Sequence, residues 1–323
     1  MKLIIQIPCF NEEQTLPITF DQLPRKIEGI DEIEYLIIND GSKDKTVEVA
    51  KSLGIKHIVN FQNNRGLAKA FMAGIEQSLK LGADIIVNTD ADNQYCGYDI
   101  EKLVRPILDG RAQMVIGDRD TDSIKHFSNL KKKLQKFGST VVRHLSHTDV
   151  VDTTSGFRAY SRDAALHLNV ISEYTYTLET IFNAGHSKLA IENVKIGTND
   201  KLRESRLFKS MWGYIKKSGV TIIRTYSMLR PLKLFLFIGI LFILFGTGIG
   251  LRYLWFMFIG DGDGHIQSLI LSTICILIGV QATFFGLIAD AIAANRKMNT
   301  EILYRLKKLE YNHFSETNKK SGE

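Results

Sequence analysis

Short apolar runs alternate with longer helical stretches along the amino-terminal part of the chain. Runs of this length, separated by helical patterns, predict a mainly parallel sheet covered by helices on both faces. The predicted strands are Leu3–Ile7, Tyr35–Ile38, His57–Val59, Ile85–Asn88 and Met114–Ile116, with predicted helices that include Thr46–Leu53 and Gly66–Leu81. Ligands bind beyond the carboxyl ends of such strands, so the residues that follow each run are the candidate site.

Two longer apolar stretches near the carboxyl end predict a pair of transmembrane helices. Leu234–Leu251 and Ile266–Ala289 contain no charged residue, and each approaches the roughly 20 residues that a membrane-crossing helix needs. Lysine and arginine precede the first stretch and follow the second, so both flanks are predicted to be cytoplasmic. Arg252 falls either at the outer membrane boundary or within a longer, tilted first helix. Close helix approach is expected at the glycines of the two stretches: Gly246, Gly248, Gly250, Gly279 and Gly286.

Basic amphipathic segments border these stretches. Residues 207–229 mix cationic with aromatic and aliphatic side chains, as an interfacial helix does, although a packed soluble helix fits the same pattern. Residues 295–308 predict a basic helix that lies on the membrane, contacts another subunit or ends the second span. We therefore expect an amino-terminal α/β domain (1–205), juxtamembrane amphipathic helices (206–231), two transmembrane helices (232–289) and a cytoplasmic basic carboxyl-terminal helix and tail (290–323).

Composition and charge narrow the class of partner. The formal net charge is +6, but the basic residues cluster near 131–136, 203–217 and 296–308, outside any nucleic-acid-binding motif. Anionic lipid is therefore favoured over nucleic acid. Cys9, Cys96 and Cys275 lie far apart, which favours neither a disulfide framework nor a zinc site. The amino terminus is too strand-like for a signal peptide and is expected to stay in the cytosol.

Polar motifs follow three of the predicted strands. They are Pro8-Cys-Phe-Asn-Glu-Glu13, Asn39-Asp-Gly-Ser-Lys-Asp-Lys-Thr46 and Asn88-Thr-Asp-Ala-Asp-Asn-Gln94. Because like charges repel, carboxylates need a divalent cation between themselves and a phosphorylated ligand. Asp90 and Asp92 therefore predict a metal and diphosphate site. Each motif alone is also typical of an ordinary turn or helix start, but their order, with Ser155-Gly-Phe-Arg158 farther on, favours the functional interpretation.

Over residues 1–210 the set of motifs resembles family 2 glycosyltransferases, in particular the branch of dolichyl-phosphate mannose synthases and undecaprenyl-phosphate sugar transferases. The resemblance implies an α/β fold of the GT-A type, with a Rossmann-like, mainly parallel sheet. It also implies inverting transfer of a sugar from a UDP- or GDP-linked donor to a polyprenyl phosphate at the bilayer, with Mg²⁺ or Mn²⁺ as cofactor.

The resemblance also implies roles for individual residues. The nucleotide-sugar contacts are Pro8, Asn11, Glu12, Glu13, Asp40, Asp90, Ala91 and Gln94, and the metal ligands are Asp90, Asp92 and Gln94. Catalytic roles fall on Asp90, Asp92, Arg119 and Arg158, and acceptor-phosphate contacts on Arg119, Lys136, Ser155, Ser205 and Arg206.

Two stretches depart from the family pattern. Where the family often has Arg-x-x-Gly-x-Ser-Lys, this chain reads Asp200-Lys-Leu-Arg-Glu-Ser-Arg206, so Arg203 is a candidate replacement for the displaced charge. Phe137 occupies a position that is usually basic, which leaves Lys136 or Lys133 to bind the acceptor phosphate.

Two other functions compete with lipid-phosphate transfer. A processive polysaccharide synthase typically carries Gln-x-x-Arg-Trp and more helices, whereas this sequence lacks the motif and predicts two spans. A non-catalytic nucleotide-binding scaffold of a glycosylation complex would not require Asp90, Asp92 and Arg158. The donor sugar, the polyprenyl lipid and homo-oligomerisation remain open at this level.

Overall fold

Apolar runs of the amino-terminal part form the strands of one sheet. The computed structural model describes residues 1–119, 138–143, 145–146, 148–170, 176–200, 219–220, 224, 226–227, 230–260 and 265–320, of which 312–320 are described as backbone alone. The strands are β1 (Lys2–Cys9), β2 (Glu32–Asn39), β3 (His57–Asn60), β4 (Ile85–Asn88), β5 (Met114–Asp118), β6 (Arg158–Ser161) and β7 (Ile191–Lys195). All five strands predicted from the sequence lie within this set.

The sheet has the order β3-β2-β1-β4-β6-β5-β7. Among the described strands β6 alone runs antiparallel, between β4 and β5, and the other pairs are parallel. The mainly parallel GT-A-like sheet expected from the sequence is therefore confirmed. β6 begins at the edge where its neighbours end, because Arg158 pairs with both Asn88 and Ile116. The segment that precedes β6 is thereby brought to the carboxyl ends of β4 and β5.

Helices cover both faces of this sheet. They are α1 (Leu16–Asp21), α2 (Thr46–Ser52), α3 (Leu67–Lys80), α4 (Ile100–Leu108), α5 (Arg162–His167) and α6 (Thr177–His186), with a short 3₁₀ turn at Gly97–Asp99. Leu3, Ile5 and Ile7 of β1 are fully buried in the core formed with residues of α1, α2 and α4. Gln6 points to the other face, where its Nε2 lies 3.4 Å from the carbonyl oxygen of Phe71 in α3. Burial on both faces explains why β1 reads as a nearly continuous apolar run, interrupted by Gln6, rather than an alternating one.

The chain divides into two compact units, Met1–Ile215 with Leu303–Glu323, and Lys216–Ile302. Two long helices, α7 (Pro231–Ile259) and α8 (Ile266–Lys320), follow the sheet in the sequence. Their most apolar 18-residue windows are only 11% and 22% buried, respectively, unlike the core helix of a soluble protein. By length and composition both helices are candidate membrane spans. α7 continues through Arg252 to Ile259, and the boundary expected at residue 289 falls inside the continuous helix α8.

Within the second unit, α7 and α8 approach closely at glycines. A Cβ added to Gly279 would lie 2.7 Å from the carbonyl oxygen of Gly239, and one added to Gly246 would lie 2.9 Å from Cys275 Cβ. Ser272 Oγ donates a hydrogen bond of 2.6 Å to the carbonyl of Gly246. Gly248, by contrast, faces open space. Four of the five glycines named from the sequence thus lie at close approaches, because Gly250 and Gly286 also have atoms of the facing helix within 3.0 Å of an added Cβ.

The last turns of α8 belong to the first unit, where they contact α5. Tyr304 Oη donates a hydrogen bond of 2.9 Å to Asp163 Oδ1, and its ring stacks on His167 with a centroid distance of 3.9 Å. Lys307 Nζ donates to the carbonyl of Leu168 at 3.1 Å, and the Lys307 side chain is buried. This part of the basic helix therefore contacts the rest of the first unit of its own chain, an arrangement that was not among the alternatives drawn from the sequence.

Candidate active site

The carboxyl ends of β1, β2 and β4 form the edge to which the sequence motifs point. β1 lies between β2 and β4, so the strand order changes direction there, which is where open α/β sheets bind ligands. β4 stops at Asn88, paired with Gln6, whereas β1 continues to Cys9, paired with Asn39. β1 therefore extends three residues farther than β4, from Gln6 to Cys9. The loop that carries Asp90, Asp92 and Gln94 starts that distance before the carboxyl end of β1.

Two loops at this edge hold each other through hydrogen bonds. The backbone amides of Asn11, Glu12 and Glu13 donate to Ser42 Oγ at 2.9 Å, Thr46 Oγ1 at 2.8 Å and Asp44 Oδ2 at 3.1 Å. In return, Asn11 Oδ1 accepts from the Lys43 amide at 2.8 Å and Glu13 Oε2 from the Lys45 amide at 3.0 Å. Asn11 adopts the left-handed backbone conformation, with φ of 55°, which asparagine tolerates better than most residues. The motifs after β1 and β2 thus form one rigid unit.

Asp40 directly follows β2 and is buried. Its Oδ1 accepts from the Arg65 amide at 2.7 Å and its Oδ2 from the Gly66 amide at 3.0 Å, just before α3. Burial raises the pKa of Asp40 above its usual value, although the two amides oppose this effect. Each oxygen keeps a further lone pair. Pro8 lies in β1, opposite Ile38 of β2, just before the loop that follows β1.

Asp90 packs against the backbone of Gly156, in the segment that precedes β6. A Cβ on Gly156 would lie 3.4 Å from Asp90 Oδ2 and 2.6 Å from Tyr176 Oη. The Gly156 amide donates to Tyr95 Oη at 2.9 Å, and its carbonyl accepts from Asn88 Nδ2 at 2.9 Å. Burial raises the pKa of Tyr95 to about 12, so its hydroxyl stays neutral. The absence of a side chain at Gly156 therefore creates the space beside the Asp90 carboxylate.

Asp92 and Gln94 are joined by two hydrogen bonds. The backbone amide of Gln94 donates to Asp92 Oδ1 at 3.2 Å, and Gln94 Nε2 donates to Asp92 Oδ2 at 2.8 Å. This geometry directs the amide nitrogen of Gln94 to the carboxylate and leaves its Oε1 as the atom able to face a cation. Ala91, between the two aspartates, is buried, and its carbonyl accepts from Thr19 Oγ1 of α1 at 3.0 Å.

Arg119, directly after β5, forms an ion pair with Asp152. Arg119 Nε and Nη2 donate to the two oxygens of Asp152 at 2.7 and 3.0 Å, and Nη2 also donates to Thr154 Oγ1 at 2.7 Å. The side chain of Asp152 is 1% exposed and that of Arg119 17% exposed. Burial opposes the charge on Asp152, but Arg119 and the hydrogen bonds outweigh it and hold the pKa of Asp152 below its usual value. The pair joins the end of β5 to the segment before β6.

Arg158 differs from the other residues named from the sequence, because its guanidinium lies inside the protein. The side chain is fully buried. It donates to the carbonyls of Ser155 at 2.7 Å, Thr177 at 2.8 Å and Thr153 at 3.1 Å. These bonds tie the segment before β6 to the start of α6. Ser155 is likewise fully buried, and its amide donates to Asp152 Oδ1 at 3.1 Å.

Sequence reasoning missed four residues that hold the site together: Tyr95, Asp152, Tyr176 and Asn199. Tyr95 directly follows Gln94 and Asp152 lies three residues before Ser155, so their positions could have indicated a role. Tyr176 and Asn199 reach the site only through the tertiary fold. Lys136, Ser205 and Arg206, with the alternatives Lys133 and Arg203, lie outside the described residues.

A mainly parallel α/β sheet with acidic loops at the carboxyl ends of β1, β2 and β4 is a class of fold that binds ligands at this edge. The chain belongs to glycosyl transferase family 2, whose family model matches residues 4–168, and it is a glycosyltransferase.

The chain is also similar to individual proteins over more residues than the family model matches. The chain is 32% identical over 221 residues to the UDP-N-acetylglucosamine–dolichyl-phosphate N-acetylglucosaminyltransferase of Methanococcus voltae, a match that covers 59% of this chain and 83% of that one. It is 26% identical over 328 residues to a prophage bactoprenol glucosyl transferase homolog of Escherichia coli (strain K12), covering 95% and 100% of the two chains. The second match includes the region of α7 and α8.

Among solved structures the chain is similar to glucosyl-3-phosphoglycerate synthase from Mycobacterium tuberculosis in complex with Mn²⁺, UDP and glucosyl-3-phosphoglycerate. The TM-score is 0.53 with 19% identity, covering 70% of this chain and 78% of that one. At this identity the likeness establishes the fold, which is GT-A-like as expected.

Proposed function

We propose that this glycosyltransferase moves a sugar from a nucleoside-diphosphate donor to a polyprenyl phosphate, with inversion at the anomeric carbon. The observation that carries the proposal is one sheet edge on which Arg119 lies beside the Asp90–Gln94 loop, with its Cζ 6.0 Å from the ring centroid of the adjacent Tyr95, in a chain with two candidate membrane spans. Relatives that act on dolichyl phosphate or bactoprenol support the class of acceptor.

A divalent cation fits the groups at this edge. Asp90, Asp92 and Gln94 Oε1 supply oxygen ligands, and Mg²⁺ or Mn²⁺ is commonly held by one or two carboxylates together with substrate phosphates. In the described residues no group of three His, Cys, Asp or Glu side chains is placed to hold a metal by itself, which agrees with a site completed by the donor diphosphate. When bound, the cation supplies Lewis-acid stabilisation of the negative charge that develops on the leaving phosphate.

Residues of the chain then bind and orient the two substrates. The joined loops after β1 and β2, from Pro8 to Glu13 and at Asp40, form the proposed wall for the base and ribose. Arg119 is oriented by Asp152, and among the described residues its Nη1 makes no hydrogen bond, so this nitrogen is available to a phosphate oxygen. A lipid phosphate is anionic near neutral pH, and alignment of the acceptor therefore matters more than a strong general base.

The acceptor explains the candidate spans. A polyprenyl tail stays in the bilayer, so the catalytic edge must work at the headgroup level, and basic residues near the surface attract anionic lipid. Arg230 and Lys233 lie at the start of α7, and Arg296 and Lys297 follow the apolar part of α8. This charge distribution supports cytoplasmic placement of both termini. Ser205, Arg206 and Lys136 are the proposed further contacts of the acceptor phosphate.

A transfer assay tests the proposal. Purified full-length protein in detergent is offered radiolabelled UDP-glucose, UDP-N-acetylglucosamine or GDP-mannose with polyprenyl phosphate and Mn²⁺ or Mg²⁺, and label is followed into the organic phase. We expect an acid-labile lipid product from one donor, lost on chelation of the metal. Binding of nucleotide without any product from these donors would contradict the proposed activity.

The variant that tests the carboxylate chemistry is Asp92→Asn. It preserves shape but removes the charge, so transfer should fall by about 100-fold or more, as expected for loss of a group that stabilises the transition state. Asp109→Asn is the matched control, because Asp109 is an exposed residue that follows α4 and pairs with Arg111. Full activity of Asp92→Asn at saturating metal would exclude the assigned role.

A further inference from the structure

One residue beyond the named motifs contacts the loop that follows β4 at three successive carbonyls. The Asn199 backbone amide donates to the carbonyl of Gln94 at 3.0 Å. Its side-chain Nδ2 lies 3.1 Å from the carbonyl of Asn93 and 3.3 Å from that of Tyr95. Asn199 therefore holds the backbone on both sides of Gln94 as well as at Gln94 itself.

The same side chain connects this loop to α1. Asn199 Nδ2 lies 2.9 Å from Gln22 Oε1, at the end of α1. Its two protons are thus shared among several acceptors, with Gln22 and the Asn93 carbonyl at the shortest distances. A neighbouring β-bridge joins Tyr95 to Thr198 and provides a backbone attachment that does not depend on the Asn199 side chain.

The backbone of this loop turns at Asn93. Asn93 has a positive φ of 56°, a left-handed conformation that asparagine tolerates better than most residues. Gln94, the next residue, bonds both oxygens of Asp92. The backbone path from Asn93 to Tyr95 therefore determines where the Asp92 carboxylate and Gln94 Oε1 point.

We propose that Asn199 is a positioning residue of the transfer reaction, which holds the loop after β4 so that Asp92 and Gln94 meet the cation and the donor diphosphate together. The inference rests on the proposed function, since it assigns the residue to the same site. Preorganisation by hydrogen bonds outside the ligand set commonly controls metal affinity.

The test substitutes the side chain and leaves the backbone bonds in place. Asn199→Ala removes the contacts to Asn93, Tyr95 and Gln22, and Asn199→Asp replaces the donor by a carboxylate that faces carbonyl oxygens. Asn183→Ala is the matched control, because Asn183 is a similarly half-buried asparagine of α6 whose Nδ2 donates to the carbonyl of Asn169 at 2.7 Å.

Binding of Mn²⁺ is measured by electron paramagnetic resonance of the free ion, with full-length protein and either UDP or GDP. For Asn199→Ala we expect roughly tenfold weaker Mn²⁺ binding, and a larger loss for Asn199→Asp. The metal concentration for half-maximal transfer should rise in parallel, whereas the control binds Mn²⁺ as the wild type does. Thermal unfolding without ligands should change no more for Asn199→Ala than for the control.

Gln22→Met provides an independent variant if Asn199→Ala does not fold. It removes the acceptor that orients the Asn199 amide and should weaken Mn²⁺ binding in the same direction, by about two- to fivefold. Unchanged Mn²⁺ binding in Asn199→Ala, or in Gln22→Met where only that variant folds, would overturn the inference while the wild type still transfers sugar. Absence of transfer by the wild type itself would instead refute the proposed function.

Discussion

Substitution of Gly156 by alanine tests the packing beside the Asp90 carboxylate. The new methyl group would lie 2.6 Å from Tyr176 Oη and 3.4 Å from Asp90 Oδ2. The first distance is too short, so the hydroxyl or the backbone must move. Tyr176 has little freedom, because its ring stacks on Phe71 with a centroid distance of 4.0 Å and its hydroxyl accepts from Asn88 Nδ2 at 2.9 Å.

The expected cost has two parts. Overpacking by one methyl group in a closed core costs about 1–3 kcal/mol, and loss of the Asn88–Tyr176 hydrogen bond costs about 1 kcal/mol. Together these give a destabilisation of roughly 2–4 kcal/mol, which for a unit of this size lowers Tm by about 4–16 °C. Displacement of the segment also moves Asp90, so kcat should fall more than the loss of folded protein explains.

The assay is a double-mutant cycle on thermal unfolding of the full chain in detergent. Tyr176→Phe removes the hydroxyl that collides with the methyl group, so the double variant should be more stable than the sum of the single changes by about 1–2 kcal/mol. Gly138→Ala is the control for the loss of a glycine, because no described atom lies within 4 Å of a Cβ there. Additive effects of Gly156→Ala and Tyr176→Phe would refute the steric reasoning.

Two further predictions concern the helix pair and the buried ion pair. Gly279→Val should destabilise the packing of α7 on α8 by about 1–3 kcal/mol, measured by unfolding in an SDS titration. Gly248 faces open space, so Gly248→Val should leave this packing unchanged. Equal effects of the two variants would contradict the close approach at Gly279. Asp152→Asn leaves the Arg119 charge, 17% exposed, without its anionic partner and should cost about 1.5–3 kcal/mol at pH 7. Since the pKa of Asp152 is lowered in the folded state, the wild-type stability from this pair should be complete above about pH 4 and decline as the pH falls further. If the free energy of unfolding of the variant depended on acid pH as that of the wild type does, this assignment would be excluded.

The hydrophobic pattern of the sequence predicted the strands that contain an apolar run, and it missed β6 and β7, which contain none. β1, β2 and β4 are buried on both faces near the site, so their buried parts are mostly apolar, apart from Gln6, Asn39 and Asn88, and can be recognised without tertiary information. β6 reads Arg-Ala-Tyr-Ser and β7 reads Ile-Glu-Asn-Val-Lys. Neither has an apolar run, because Arg158 has its polar partners inside the core and β7 is only half-buried along most of its length.

The same difference explains which site residues could be found. Asp40, Asp90 and Asp92 follow predicted strands directly, and parallel strands bring their carboxyl ends to one edge, so their proximity follows from the local pattern alone. Arg158 was assigned to catalysis because it belongs to a recognisable motif. Its position inside the protein depends on the antiparallel direction of β6 and on carbonyls of α6, which the motif does not contain.

The direction of β6 explains how Arg119, at the end of β5, comes to pair with Asp152. β5 ends at Asp118, and its neighbour β6 starts at the same edge because the two strands are antiparallel. The chain that enters β6 therefore passes beside Arg119 and presents Asp152 to two nitrogens of the guanidinium. A parallel β6 would end at this edge, and its entering segment with Asp152 would lie at the opposite one. The antiparallel strand thus supplies the ion pair that orients the proposed phosphate-binding arginine, and the effect of Asp152→Asn on donor KM, at a pH where the variant is folded, measures that contribution.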